Sequence, residues 1–154
     1  MISVQTADFN VGQEYENLRQ NADGDGAIVT FSGLVRDFCN DGPVSCVVIE
    51  HYPGMTEKSL MTICCEARKR WELGQVRVIH RIGDLEACEQ IVFVGVSSKH
   101  RKNAFEAAEF IMDYLKTNAP LWKKEGTTSG MKWVAAKSSD DDAIAKWYGE
   151  KHAS

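Results

Sequence analysis

The 154-residue sequence has no apolar run long enough to cross a membrane, and Met1–Asn10 has no basic n-region of the kind that opens a signal peptide. A cytosolic chain is therefore expected. Positive charge is also missing in bulk. The formal net charge is −4, which argues against a nucleic-acid or anionic-membrane partner. The five cysteines, Cys39, Cys46, Cys64, Cys65 and Cys88, are odd in number and never spaced CxxC, so neither a disulfide framework nor a zinc ribbon is indicated. Cys64 and Cys65 adjoin on an expected helix and point about 100° apart, poor geometry for holding one ion. All five read as reduced thiols used mainly for packing. His51 and His80 have no third ligand at sensible spacing, so they read as structural and no metal or cofactor is expected. There is no glycine-rich phosphate loop: Gly24–Gly26 and Gly126–Gly130 are turn glycines, and neither opens a helix. No internal repeat or linker divides the chain. One domain over 1–148 is expected, with a disordered tail over 149–154.

What the sequence does contain is an alternation of strand and helix signals. Weak patterning over 1–21 gives a short strand and a helical turn around Gln13–Arg19. AIVTFSGLVR alternates, with Ala27, Val29, Phe31 and Val35 on one face and Thr30, Ser32 and Arg36 on the other. DFCNDGP is a loop, and VSCVVIEHY is the next strand, so the two are expected to form an antiparallel hairpin. Thr56 is placed to cap a helix whose apolar face is Leu60, Ile63, Cys64, Ala67 and Trp71, ended by Gly74. VRVIHRI is a strand, Gly83–Glu89 a polar turn, and IVFVGVSS a buried strand. After a long helix come a small-residue loop over Gly126–Gly130, the strand KWVAAK, and a helix with a Ser139–Asp142 capping box that reaches Trp147. The fold class is α+β, with a mixed or antiparallel sheet and helices on one side.

The stretch SSKHRKNAFEAAEFIMDYLKTNAPLWKK, Ser97–Lys124, organises the rest. Phe105, Ala108, Met112 and Leu115 recur at helical steps, Ser97 or Ser98 is placed to cap, and Pro120 ends the helix by disfavouring helical backbone at Ala119. The charge order runs against the helix dipole: His100, Arg101 and Lys102 fill the first turn, where acids are favoured. This is either a solvated face or a place where an external anion docks on free N–H groups and basic side chains. Lys116 and Lys123 flank the Pro120 corner, and the bend allows both amines to face one pocket.

The segments FIMDYLKTNAPLWKKE, EHYPGMTEKSL, VIHRIGDL and IVFVGVSSKHR together resemble the large, catalytic subunit of molybdopterin synthase, over about Gly26–Trp147. The resemblance implies an α/β-hammerhead with a small additional antiparallel β subdomain. It also implies a sulfurtransferase that builds the dithiolene of molybdopterin on a cyclic pyranopterin monophosphate. Sulfur would arrive as a thiocarboxylate on the C-terminal tail of a small ubiquitin-like subunit. On this resemblance Lys116 is the general acid–base and anchor of the thiocarboxylate, and Lys123 stabilises negative charge. Arg36, His100 and Arg101 match the family's anion-binding set, with Lys137 a further candidate. One departure is Leu121, where relatives often carry an aromatic residue.

The resemblance further implies a central homodimer of large subunits with a small subunit at each outer end, a heterotetramer. A helix separates Arg101 from Lys116 by about 22 Å, so each site is expected to take its lysines from one protomer and His100 and Arg101 from the other. Two other readings stand beside the enzyme. One is a non-catalytic module that holds a phosphorylated metabolite or a partner tail on the same basic patch. The other is a persulfide enzyme using Cys39 or Cys88.

Overall fold

Strand β8, Gln90–Ser98, is apolar on both faces and so demands cover on both. The structure, a computed structural model, describes residues 1–36, 38–39, 42–43, 46–127, 130–134 and 138–150. Before β8 come β1 (Ile2–Gln5), α1 (Val11–Gln20), β2 (Ala27–Leu34), the two-residue β3 (Phe38–Cys39) and β4 (Gly42–Pro43), β5 (Cys46–His51), α2 (Met55–Arg70), β6 (Val76–Arg81) and β7 (Gly83–Glu86). After it follow α3 (Arg101–Asn118), β9 (Leu121–Thr127), β10 (Gly130–Val134) and α4 (Ser138–Glu150). One four-stranded sheet has the order β1-β6-β8-β2, parallel between β1 and β6 and antiparallel elsewhere. A second is wholly antiparallel in the order β10-β9-β5-β7. The class is α+β, with the extra antiparallel sheet expected of it.

Alternation along β8 sends Val92, Val94 and Val96 to the face covered by α2 and α3, and Phe93 to the opposite face. There Phe93 meets Phe9, Ile79 and Leu18, the last from α1. Helices therefore cover both faces of this sheet, not one as expected. The signal in 1–21 was weak because α1 buries only Leu18 among its ten residues.

The expected hairpin between β2 and β5 does not form. Strand β2 pairs with β8 from Ala27↔Ser98 to Leu34↔Gln90, while β5 lies in the other sheet between β7 and β9. Core demand overrides sequence adjacency: Val47 and Ile49 of β5 are buried with Leu85 of β7, in a strand the sequence presents as a polar turn. The turn proper lies beyond it, where Cys88 has φ 70. Gly126 and Gly130, expected in a loop, belong to paired strands: β9 runs through the lysines of LWKKE to Thr127, and β10 starts at Gly130 opposite it. Phe31, assigned to an inner face, is 42% exposed on the β2 edge of its sheet.

Helix α2 starts two residues before expected: Gly54, with φ 84, is its N-cap and donates its N–H to Glu57 Oε2 at 2.6 Å. It ends at Arg70, ahead of Gly74, because Trp71 is already extended. Its inner face carries the expected Leu60, Ile63, Cys64 and Ala67, while Trp71, also expected there, lies past its end. The two serines expected to cap α3 belong to β8. Ser97 Oγ donates to Asp25 Oδ2 at 2.6 Å and Ser98 Oγ to the Glu72 carbonyl at 2.8 Å. The N-cap is His100, with no side-chain capping bond. Ala119, held extended before Pro120, closes the helix as expected. Phe105 is 62% exposed and lies off the inner stripe, which is Ala104, Ala107, Ala108, Phe110, Ile111 and Leu115; Met112, also expected there, is half-buried. Helix α4 docks on α3 through buried Trp147, whose Nε1–H reaches Asp113 Oδ2 at 2.7 Å. It continues to Glu150, past the expected end. Residues 151–154 and the Ser139 side chain of the expected capping box lie outside the described residues.

Candidate functional site

The site grows from the corner between α3 and β9. Pro120 cannot continue a helix, and the chain turns at once into β9. Thr56, wholly buried, holds the turn: its hydroxyl donates to the Pro120 carbonyl at 2.8 Å and accepts from the Tyr52 N–H at 3.0 Å. A residue that reads as a helix cap is thus a pin between the start of α2 and the corner. Leu121, immediately after Pro120, packs against the core of both sheets.

Register then decides which lysine faces inward. Residues directly opposite across a ladder share a face, so Lys123, opposite Ile49, and Glu125, opposite Val47, lie on the side where those two residues are buried. Trp122 and Lys124 fall on the other side, where Lys124 Nζ sits 4.2 Å above the Trp133 ring. Lys123 is 39% exposed at the margin of the inner face, with Nζ 3.3 Å from Glu125 Oε1. Lys116 is exposed in the last turn of α3. Arg36, also exposed, follows Val35, a buried member of the same cluster as Val47, Ile49 and Leu85. Backbone bonds from the Val35 N–H to the Glu89 carbonyl and from the Cys88 N–H to the Val35 carbonyl, each 2.8 Å, fix the approach to it. Arg36, Lys116 and Lys123 are thus gathered around one end of the first sheet.

His100 and Arg101 are at the other end. Both are exposed where α3 opens, and no acid sits in that first turn. The eight-residue ladder from Leu34↔Gln90 to Ala27↔Ser98 spans about 25 Å between the two groups. Within one chain the expected anion-binding set is therefore divided: Arg36 joins the lysines, and His100 and Arg101 stand apart. Lys137 lies outside the described residues.

One residue set aside as structural stands in the site's electrostatics. His80, on β6, is 7% exposed. Burial, reinforced by the charge of Lys116 and opposed by its hydrogen bond to the Arg81 carbonyl, pushes its pKa down to about 4. Arg81 points to the opposite face, its guanidinium bound by the Thr6 and Gln90 carbonyls. No spacing rule finds such a histidine, because its relation to Lys116 is made only by the sheet. Among the thiols, burial pushes Cys64 up to about 12, so it stays protonated at neutral pH. Cys46, Cys64, Cys65 and Cys88 are free, and among the described residues no three His, Cys, Asp or Glu side chains cluster as a metal would require. A cavity of about 450 Å³ runs along the outer side of α2, lined by Glu57, Lys58, Met61, Cys65, Glu66 and Lys69, and neither Lys116 nor Lys123 lines it.

The chain is thus an α+β protein of two four-stranded sheets that presents basic side chains at a pinned helix–strand corner. The family model for the MoaE protein matches residues 4–118. A molybdopterin synthase catalytic subunit from Vibrio cholerae is 57% identical over 146 residues, 95% of this chain and 97% of that one. A molybdopterin biosynthesis MoaE protein from Burkholderia ambifaria superposes with a TM-score of 0.83 at 47% identity, over 96% of this chain and 97% of that one. A molybdopterin synthase from Staphylococcus aureus gives 0.79 at 31% identity, over 86% and 96%. This chain belongs to the MoaE protein family.

Proposed function

We propose that the chain is the catalytic subunit of a molybdopterin synthase. It is a sulfurtransferase of molybdenum cofactor biosynthesis, and the near end-to-end match to catalytic subunits of that name supports the assignment. Sulfur comes from the C-terminal thiocarboxylate of a small ubiquitin-like subunit and goes to cyclic pyranopterin monophosphate, which becomes the dithiolene. Lys116 meets the thiocarboxylate and exchanges protons at the transfer point. Lys123 stabilises negative charge as the sulfur moves.

The observation that carries this reading is the corner itself. Thr56 anchors Pro120 between the two lysines, and the β5–β9 register selects Lys123, not Lys124, for the inner face. A module that merely bound anions would need charge there, not two amines in fixed relation. The division of the basic residues supports a composite site in a homodimer. Arg36, Lys116 and Lys123 come from one protomer, and His100 and Arg101 from its mate, around the substrate phosphate, with Lys137 a further candidate. Residues 1–148 act as one domain, for which the sharing of Ile91 and Leu121 between both sheet cores is the support. The enzyme works in the cytoplasm as the dimeric centre of a heterotetramer. The test is to combine the purified chain with thiocarboxylated small subunit and cyclic pyranopterin monophosphate and to assay dithiolene. Product dependent on all three components is expected. Tight binding of both partners without turnover would favour the binding module.

A further inference from the structure

Strand alternation on β6 places Val76, Val78 and His80 on the face covered by α2 and α3, and Arg77, Ile79 and Arg81 on the other. His80 lies opposite Val92 near the start of β8. Helix α3 leaves the far end of β8 and runs back over it, so its last turn comes down above Val92 and His80. Leu115 shares one core cluster with Val78 and Val92, and Lys116 is the next residue. The Lys116 charge is accordingly felt at the buried ring.

The ring's proton is placed by its neighbour. His80 Nδ1 is 2.7 Å from the Arg81 carbonyl, which only accepts, so Nδ1 carries the hydrogen. In the neutral ring Nε2 is then a bare lone pair. Burial keeps the ring neutral throughout the working range of pH.

We propose that His80 is the positioning residue for Lys116, its Nε2 lone pair accepting a hydrogen from the Lys116 amine and holding Nζ towards the corner. The inference rests on the acid–base role given to Lys116 above. An imidazole suits the task better than a carboxylate. A buried anion beside Lys116 would lock the amine in its charged form, whereas a neutral acceptor orients it and leaves the proton transferable. The Arg81 carbonyl, by fixing the tautomer, decides that this acceptor is available.

Two substitutions divide the ring's two nitrogens. His80→Asn keeps an N–H for the Arg81 carbonyl and has nothing at the Nε2 position. His80→Gln reaches that position with an amide oxygen. In the reconstituted complex, His80→Asn should lose about tenfold or more in kcat with KM for the pterin changed less than about twofold, and His80→Gln should recover most of the loss. A folded His80→Asn protein with wild-type kcat overturns the proposal, as does His80→Gln no better than His80→Asn at equal Tm. A measurement on the unaltered ring covers the case in which His80→Asn does not fold. Long-range ¹H–¹⁵N spectra of the wild-type chain should show the Nδ1–H tautomer, and Lys116→Ala should move the Nε2 resonance. The opposite tautomer, or an unmoved resonance, also overturns it. Absence of product from wild-type protein with both partners would overturn the enzyme reading instead and leave these spectra unaffected.

Discussion

A lysine serves as an acid–base group only where its surroundings let it both hold and release a proton, and the corner residues set those surroundings. Lys116→Ala should lower dithiolene formation by at least about a hundredfold, the scale of a lost general acid–base group. The far-ultraviolet circular dichroism should be unchanged, because the side chain is exposed and off the inner face of α3. Lys123→Ala should be less damaging, about ten- to a hundredfold, as loss of one stabilising charge. The proposed mechanism uses no cysteine. With all five replaced, and Cys64 by alanine because it is packed in the core, the folded fraction should keep wild-type turnover per molecule. Loss of turnover traced to a single thiol would restore the persulfide reading. His80 adds a pH dependence of stability. Its folded pKa, about 4, lies below the ordinary 6.5, so below pH 6.5 the unfolded chain binds the proton more readily. The contribution is complete above pH 6.5 and is lost as the pH falls towards 4, amounting to about 3 kcal/mol at most. Denaturant titrations of wild type and His80→Gln should converge over that window. The sequence placed Lys116 and Lys123 on either side of the Pro120 corner, and the family resemblance alone supplied their roles. Thr56 and His80 were not, because their partners, the Pro120 carbonyl and Lys116, are remote in sequence and are reached only through packing.

Among the elements, those with one strong period were legible: the inner face of α2, the run of β8 and the stop of α3 at Ala119 all read directly from residue spacing. Those that failed have their apolar signal split by polar residues. Strand β7 offers only Leu85 to the core, and β9 carries two lysines and a glutamate, yet both pair fully with β5. Pairing across sheets was also hidden, since adjacency along the chain favours a β2–β5 hairpin and the apolar demand of β8 takes β2 instead. The element most exposed to a single change is the corner. Thr56→Val keeps the shape and removes the hydroxyl that joins the Tyr52 N–H to the Pro120 carbonyl. It should cost about 1–3 kcal/mol, the usual penalty for leaving buried polar groups unpaired. Activity at temperatures well below the new Tm should fall further than the folded population does, because both lysines move with the corner. Equal activity per folded molecule would separate the pin from the chemistry.

For the whole molecule, the composite site proposed above would make the dimer a condition of catalysis. Mixing Lys116→Ala protein with Arg101→Ala protein should restore activity, because a mixed dimer holds one site with both lesions and one with neither. Confirmed subunit exchange with no recovery would show that each protomer works alone. The same proposal, with α3 contributing charge to a site at each of its ends, has a genetic corollary. A chain altered at both Lys116 and Arg101 lends one defect to each site of any dimer it enters, so a mixed dimer with wild type has no intact site. At equal expression, random pairing would leave about a quarter of all sites working, against about half for either single change. In a merodiploid strain the double allele should therefore behave as a dominant poison, while each single allele is nearly recessive and the two complement one another.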